Sequence, residues 1–499
     1  MSIADMLVSD ILETGRTHYP NRAAIVSEQV SRTYSELAER VEHIAGALTA
    51  AGVRPQGRIA VLSGNDPVVV EVLLAASIVG AVVVPLNPRI TAEDLAFQAD
   101  DAGVGFAFVQ ESLEPLARAG GLLDRPSWFC GGDIEKLVVS GECYRGSRPS
   151  SNDVLVQLYT SGTTGRPKGC LLTHRGWLSS IGGFAHATGM STRDVVWPQL
   201  PLFHVAGVHF LLTTLATGAT YVLDGPGDAA RFWQVIRDRS VTIATLFPDP
   251  FAVIDHPEAQ RSCGGLRIAF SQRFNDALFQ ALPGVTLGTS YGATELAGMA
   301  VIAFGEDCAR AGAVLGRPLL GMVATVLDDD DRPVPPGATG ELCFRGAATT
   351  VGYWNLPEAS ADVLKNGWLH TGDLGRADDD GLLFFVDRKK DMIKPGGENV
   401  YSIEVESVLA SHSAVVECAV IGVPDSRWGE AVKAVIVASG QLTAAELDRW
   451  CIQRLAAYKR PRWYSFVDGL PRNGTAKVIK PDLRAAHHPA TSTRLPERS

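Results

Sequence analysis

Hydrophobic positions along the chain recur with two different periods, and their alternation predicts a layered α/β protein. Leu37, Val41, Ile44, Ala45 and Leu48 are spaced three or four apart behind Thr33-Tyr-Ser-Glu36, which has the form of a capping box, and Gly52 follows. That spacing predicts an amphipathic helix with a defined start and stop. Ile59-Ala-Val-Leu62 and Phe106-Ala-Phe-Val109 are short apolar runs of strand type. Between them, Val68 to Leu86 is apolar except for one acid, Glu71, and is long enough to cross a bilayer. Gly80 divides this run into a helix-like half and a β-branched half, Val82-Val-Val-Pro85. The pattern therefore predicts a helix followed by a buried strand, with no membrane span.

Strand and helix signals continue in alternation, the signature of a largely parallel sheet. Residues 110 to 150 are rich in Gly, Pro and Ser and read as a partly irregular connection. Val154-Leu-Val-Gln-Leu-Tyr159 reads as a strand, with a helix-compatible segment from Thr173. A second α/β pattern runs from Arg231 to Leu287 and contains Ile243-Ala-Thr-Leu246 and Leu266-Arg-Ile-Ala-Phe270. From Thr325 the pattern turns antiparallel, with Thr325 to Asp331 and Glu341 to Gly346 as arms of a hairpin and the aspartate run as its solvated tip. Near the end, Val432-Lys-Ala-Val-Ile-Val437 predicts a strand. Thr443-Ala-Ala-Glu446 predicts a capped helix with Leu447, Trp450, Cys451 and Leu455 on one face, and residues 485 to 499 read as a disordered tail.

Composition narrows the function. A net charge of -10 and a pI near 5.6 argue against a nucleic-acid binder. Eight cysteines are scattered with no Cys-x-x-Cys pair, which suits reduced thiols in the cytoplasm rather than a disulfide framework or a metal site. No basic leader precedes the first helix, so no secretory signal is expected.

The densest chemistry lies in Leu158-Tyr-Thr-Ser-Gly-Thr-Thr-Gly-Arg-Pro-Lys-Gly-Cys170. Glycines let a backbone approach a ligand with its N–H groups turned inward, and hydroxyls and Lys168 can donate to phosphate oxygens. A flexible linker is the competing reading. It is not a Walker loop, since Pro167 precedes and Gly169 follows the lysine.

Residues 159 to 169 of this segment resemble the phosphate-loop signature of the adenylate-forming superfamily: acyl-CoA synthetases, adenylation domains of peptide synthetases, and luciferases. Further motifs resemble the same family over nearly the whole chain: Pro201-Leu-Phe-His204, Tyr291-Gly-Ala-Thr-Glu295, Gly367-Trp-Leu-His-Thr-Gly-Asp-Leu374, Val386 to Asn399, and Pro471-Arg-Asn-Gly-Thr-Ala-Lys477. The resemblance implies a large N-terminal domain (1–389) of two α/β layered subdomains plus a β-barrel-like antiparallel subdomain. It also implies a small mobile α+β C-terminal domain (390–484) turning about Lys390.

For the site, the resemblance implies that Thr160, Ser161, Gly162, Thr163, Thr164, Gly165 and Lys168 hold the ATP phosphates. Tyr291, Gly292 and Thr294 would complete the nucleotide site, with Thr294 on the α-phosphate and Glu295 on Mg2+, a hard ion that takes oxygen ligands. Asp373 would accept the ribose hydroxyls, Arg388 would touch the ribose, and Lys477 would bridge the substrate carboxylate and the α-phosphate. His204 would stand at the mouth of the acyl pocket, and Gly396 and Gly397 would border a coenzyme A tunnel. The implied activity is an AMP-forming carboxylate–CoA ligase, with ATP, Mg2+ and CoA as cofactors and co-substrates. Alternatives are an adenylating enzyme serving a carrier protein, a luciferase-like monooxygenase, and a non-catalytic AMP-binding protein; a homodimer is left open.

The chain departs from the family pattern in three places. Ser271-Gln-Arg-Phe-Asn275 stands where relatives carry Ser-Gly-Gly-Ala-Pro, so Arg273 or Phe274 is expected to narrow or re-polarise the acyl pocket. Ala476 replaces the usual glycine before the lysine, and Ser402 replaces the usual proline. Trp197, Phe203, Val208 and Phe274 favour an apolar or aromatic acyl group.

Overall fold

The structure, a computed structural model, describes residues 6–140, 142–144, 146–160, 166–247, 249–259, 263–472, 478–489 and 492–495. They divide into two compact units, Met1–Thr325 with Cys343–Thr371, and Val326–Leu342 with Gly372–Ser499.

The apolar run at Val68 resolves as its Gly80 predicts. Asp66 accepts from the Val68 N–H, Pro67 opens the helix Pro67–Val79, and Gly80 closes it at φ 77°. Pro at the first turn and a left-handed glycine at the end are the favoured punctuation. The strand Val82–Leu86 is buried at every position, as a central parallel strand must be. Among the described residues no helix is long and apolar enough to cross a membrane. Glu71, fully buried in this helix, is held by Arg40 at 2.6 Å.

Two sheets organise the first unit. The six-stranded sheet runs Ser127–Phe129, Val104–Val109, Arg58–Leu62, Val82–Leu86, Val154–Thr160, Lys168–Thr173. All neighbours are parallel except the last pair, an antiparallel hairpin with Thr160 opposite Lys168. In the other sheet, Ala23–Val26, Thr220–Val222, Val195–Trp197, Ile243–Thr245, Ile268–Phe270 and Thr286–Ala293 are successive parallel neighbours. Gly298–Phe304 and Ala313–Pro318 continue it antiparallel.

The second unit contains a four-stranded sheet, Val415–Asp425, Gly429–Ala438, Trp463–Phe466 and Thr493–Arg494. The helices Ser402–Ala410 and Ala444–Ile452 bury Val405, Leu409, Leu447 and Cys451 against Val420, Val432 and Ile436. Thr443 and Glu446 form the expected capping box.

Two sequence expectations are corrected. Residues 110–150 hold real elements, the helices Glu114–Ala119 and Gly132–Ser140 and the strand Ser127–Phe129. Each is too short to show a period, so turn residues dominated the reading. The supposed disordered tail supplies an edge strand, Thr493–Arg494, opposite Trp463 and Tyr464, fixed by Arg494 on Asp425 at 3.1 Å. None of the eight cysteines forms a disulfide.

Two buried histidines make the first unit acid-sensitive. Burial lowers His209 to about 4, against a smaller opposing effect of the Ala297 carbonyl. Burial also lowers His174 to about 4, opposed by Asp153 and Asp10. Both folded values lie below the unfolded value of about 6.5, so the unfolded chain binds more protons between them. Stability is full above pH ~6.5 and falls toward pH 4, on the order of 3 kcal/mol per histidine. Denaturant melts at pH 7 and 4.5 should show the loss, and His209→Gln should make it smaller; an unchanged pH dependence in that variant refutes the assignment.

Candidate active site

The strand Val154–Thr160 and the helix His174–Thr188, capped by Thr173, stand where the sequence places them, and the structure adds the strand Lys168–Thr173, paired antiparallel with the first. A Cβ at Gly169 would lie 2.6 Å from the Gln157 amide nitrogen, so any larger residue there must displace that side chain. The loop's Ser161, Gly162, Thr163, Thr164 and Gly165 lie outside the described residues. Beyond the hairpin, Leu171 N–H donates to Gly352 O at 3.0 Å and Trp354 N–H to Gly169 O at 2.7 Å. That pairing brings Tyr353 alongside the strand.

Tyr353 joins two predicted site residues that the sequence leaves far apart. Its hydroxyl donates to Glu295 Oε1 at 2.7 Å, and the Lys168 ammonium lies 5.2 Å from its ring centroid. Burial first, and then the charge of Glu295, hold the Tyr353 hydroxyl well above its usual range, so it remains a donor. Glu295 sits in the single turn Thr294–Leu296, closed by Ala297 at φ 50°, and its carbonyl accepts from Thr350 N–H at 2.7 Å. A half-buried carboxylate that accepts the Tyr353 hydrogen bond through one oxygen, with no second hydrogen bond among the described residues, suits a hard divalent cation. Gly292 cannot carry a side chain, since a Cβ would lie 1.9 Å from Gly298 O. Tyr291 stacks on Phe344 at 5.9 Å and 23°.

The other first-unit residues follow the carboxyl ends of the parallel strands, where ligands bind in sheets of this kind. His204 is exposed and caps the helix Val205–Ala216, its Nδ1 accepting from Ala206 N–H at 3.3 Å. Arg273 is exposed, paired with Asp249 and set over the Phe251 ring at 4.7 Å. Phe274 packs against Phe279 on the core beneath, its rings 6.0 Å apart. Trp197, read as favouring an apolar acyl group, is a core residue donating to Asp224 O at 2.7 Å.

In the second unit, Asp373 and Arg388 are register partners on Trp368–Ala377 and Leu383–Arg388, with Arg388 Nε 3.5 Å from Asp373 Oδ1. Lys390 follows two residues later and is exposed. Gly396 and Gly397 have φ of 61° and 91°, and a Cβ on Gly396 would meet the Trp428 ring at 2.7 Å. Lys477 lies outside the described residues.

Sequence reading missed Tyr353 and Asp249. Gly-Tyr-Trp after a hairpin offers no periodicity, and only the fold reveals that Tyr353 lies beside Glu295.

Comparison with known proteins identifies the family. The model of the AMP-binding enzyme family matches residues 12–354, and that of the AMP-binding enzyme C-terminal domain matches 404–477. The chain is similar to feruloyl-CoA synthase of an Amycolatopsis species, 35% identical over 93% of this chain and 96% of that protein. It is also similar to the fatty acid–[acyl-carrier-protein] ligase ScoC of Streptomyces coeruleorubidus, 32% identical over 94% of each. Among solved structures it resembles o-succinylbenzoate CoA synthetase of Bacillus subtilis. The complex with the acyl-adenylate intermediate OSB-AMP gives a TM-score of 0.86 at 29% identity, over 96% of this chain and 98% of that one. The complex with ATP and magnesium ion gives 0.85 at 28%, over 95% and 98%. The chain belongs to the AMP-binding enzyme family and is an AMP-forming acid–thiol ligase.

Proposed function

We propose that this ligase activates an aromatic or other apolar carboxylic acid with ATP and transfers the acyl group to coenzyme A. The observation that carries the site assignment is Tyr353, which is hydrogen-bonded to Glu295 while Lys168 stands over its ring. It links the carboxylate suited to a divalent cation with the cation suited to the ATP phosphates.

In the first half-reaction a substrate carboxylate oxygen attacks the α-phosphorus, the bond to the bridging oxygen breaks, and pyrophosphate leaves. Catalysis of such a transfer is mostly positioning and charge stabilisation. Thr160, Ser161, Thr163 and Thr164 with Lys168 hold the phosphates, Thr294 meets the α-phosphate, and Asp373 with Arg388 fixes the ribose. Glu295 would hold a magnesium ion, which when bound would neutralise charge on the phosphate oxygens. Lys477 spans the carboxylate and the α-phosphate. In the second half-reaction the CoA sulfur attacks the adenylate carbonyl and AMP departs, with the 390–484 domain turned about Lys390 and Gly396-Gly397 lining the thiol's path.

An aromatic acid is favoured by the similarity to feruloyl-CoA synthase. Transfer to a carrier protein's pantetheine is a second reading, favoured by the similarity to an acyl-carrier-protein ligase. The test is pyrophosphate release with ATP and Mg2+ across aliphatic, aryl and polycyclic acids, with CoA, with a carrier protein, or with neither. Acyl-CoA formed only when CoA is added, best with aryl acids, is expected. Loading of the carrier but not of free CoA overturns the first reading in favour of the second.

A further inference from the structure

The second unit contains a buried polar network built on Ser402, one of the positions where this chain departs from the family pattern. Asp387 and Ser402 are 1% and 0% exposed. The Ser402 N–H donates to Asp387 Oδ2, and its hydroxyl donates to Asp387 Oδ1 at 3.1 Å. The same hydroxyl accepts from Lys480 Nζ at 2.6 Å, and Lys480 pairs with Glu406 Oε1 at 2.8 Å. Glu406 Oε1 also accepts from Val420 N–H at 2.8 Å, so each charged member has a partner.

Each link follows from local chemistry. Ser402 opens the helix Ser402–Ala410, whose preceding residue Tyr401 supplies no side-chain cap. Asp387, from the strand Leu383–Arg388, caps it from outside and sets a carboxylate at its positive end. Proline is compatible with that first helical position but has neither the N–H nor the hydroxyl this network uses.

A second tether acts on the helix Lys480–Ala485, at the end opposite Lys480. Arg484, on Lys480–Ala485, donates to Asp391 Oδ1 at 2.8 Å and to the Lys390 carbonyl at 3.5 Å. The short helix that begins three residues after Lys477 is therefore bonded at Lys480 to the Ser402–Asp387 pair and at Arg484 to residues 390 and 391, on both sides of the hinge residue.

We infer that Ser402 and Lys480 are positioning residues that tie the helix Lys480–Ala485 to the hinge strand Leu383–Arg388, and that adenylation depends on this network. The inference rests on the assignment of Lys477 and Lys390 above. Breaking the network costs the first half-reaction, whereas the thiol step, which does not use Lys477, is spared.

The test uses the full chain with Ser402→Ala, Ser402→Thr and Arg484→Gln. Hydrogen exchange of the unliganded protein is read at residues 478–485, acid-dependent ATP–pyrophosphate exchange reports the first half-reaction, and thioester formation from supplied acyl-adenylate reports the second. Ser402→Ala and Arg484→Gln should accelerate exchange at 478–485 and lower ATP–pyrophosphate exchange about tenfold. Thioester formation should stay within about twofold of the parent, and Ser402→Thr, which keeps both donors, should restore the first step. Unchanged hydrogen exchange, or an equal fall in both half-reactions together with a lower melting temperature, overturns the coupling in favour of a merely structural role. If the parent chain adenylates no acid, the functional assignment fails, and the hydrogen-exchange result still decides whether the tether exists.

Discussion

Lys477→Ala is expected to lower acid-dependent ATP–pyrophosphate exchange by ~10²–10³-fold while thioester formation from supplied acyl-adenylate changes little. As the carboxylate approaches the α-phosphate, two negatively charged groups close on each other, and a lysine between them supplies a compact charge on a flexible arm. That interaction grows as the new bond forms, so its loss appears in kcat more than in the KM for the acid. Lys477→Arg should recover only part of the rate, because a planar fork cannot substitute for a point charge between two differently oriented oxygens. In the proposed mechanism the lysine has no further task once the adenylate exists. Equal damage to both half-reactions would remove it from the chemistry and return it to the status of a solvated loop residue.

The alternation of periods made most of the layered fold legible, and Val68 to Leu86 illustrates why. Gly80 alone divided the run into a helix and the strand after it, because a left-handed glycine acts on the backbone locally, while the structure adds Asp66 and Pro67 as the helix's start. The candidate site residues were read in a different way. Thr160 to Lys168, Thr294-Glu295, Asp373 and Arg388 lie in short motifs that resemble those of the adenylate-forming superfamily. What stayed hidden are contacts made by the fold. Tyr353 reaches Glu295 across 58 positions, Arg273 finds Asp249 across 24, and Lys480 meets Ser402 across 78. None of these pairs has a local period or spacing. The edge strand Thr493–Arg494 was missed similarly, since two residues opposite Trp463 and Tyr464 form no pattern of their own.

Glu295→Gln and Tyr353→Phe separate the proposed metal ligand from the tyrosine hydrogen-bonded to it. The glutamine keeps the shape of Glu295 and an oxygen for the Tyr353 hydroxyl, but removes the charge that a hard divalent ion requires. Adenylation should fall by ~10²–10³-fold and recover only in part at high Mg2+. Tyr353→Phe retains the ring beneath Lys168 and removes only the 2.7 Å hydrogen bond to Oε1. Groups that orient a metal ligand are typically worth 10–100-fold in metal affinity, so the Mg2+ dependence should shift by that amount with kcat at saturating Mg2+ close to the parent's. The readout independent of turnover is Mn2+ binding in the presence of ATP, followed by electron paramagnetic resonance, which should weaken in both variants and more in Glu295→Gln. Because burial and Glu295 keep Tyr353 protonated well beyond its usual range, the parent's Mn2+ affinity should show no tyrosine titration below pH 10. A Tyr353→Phe chain that binds Mn2+ as tightly as the parent, yet loses rate, would show that the tyrosine serves the fold of the 351–354 segment and that Glu295 orients itself.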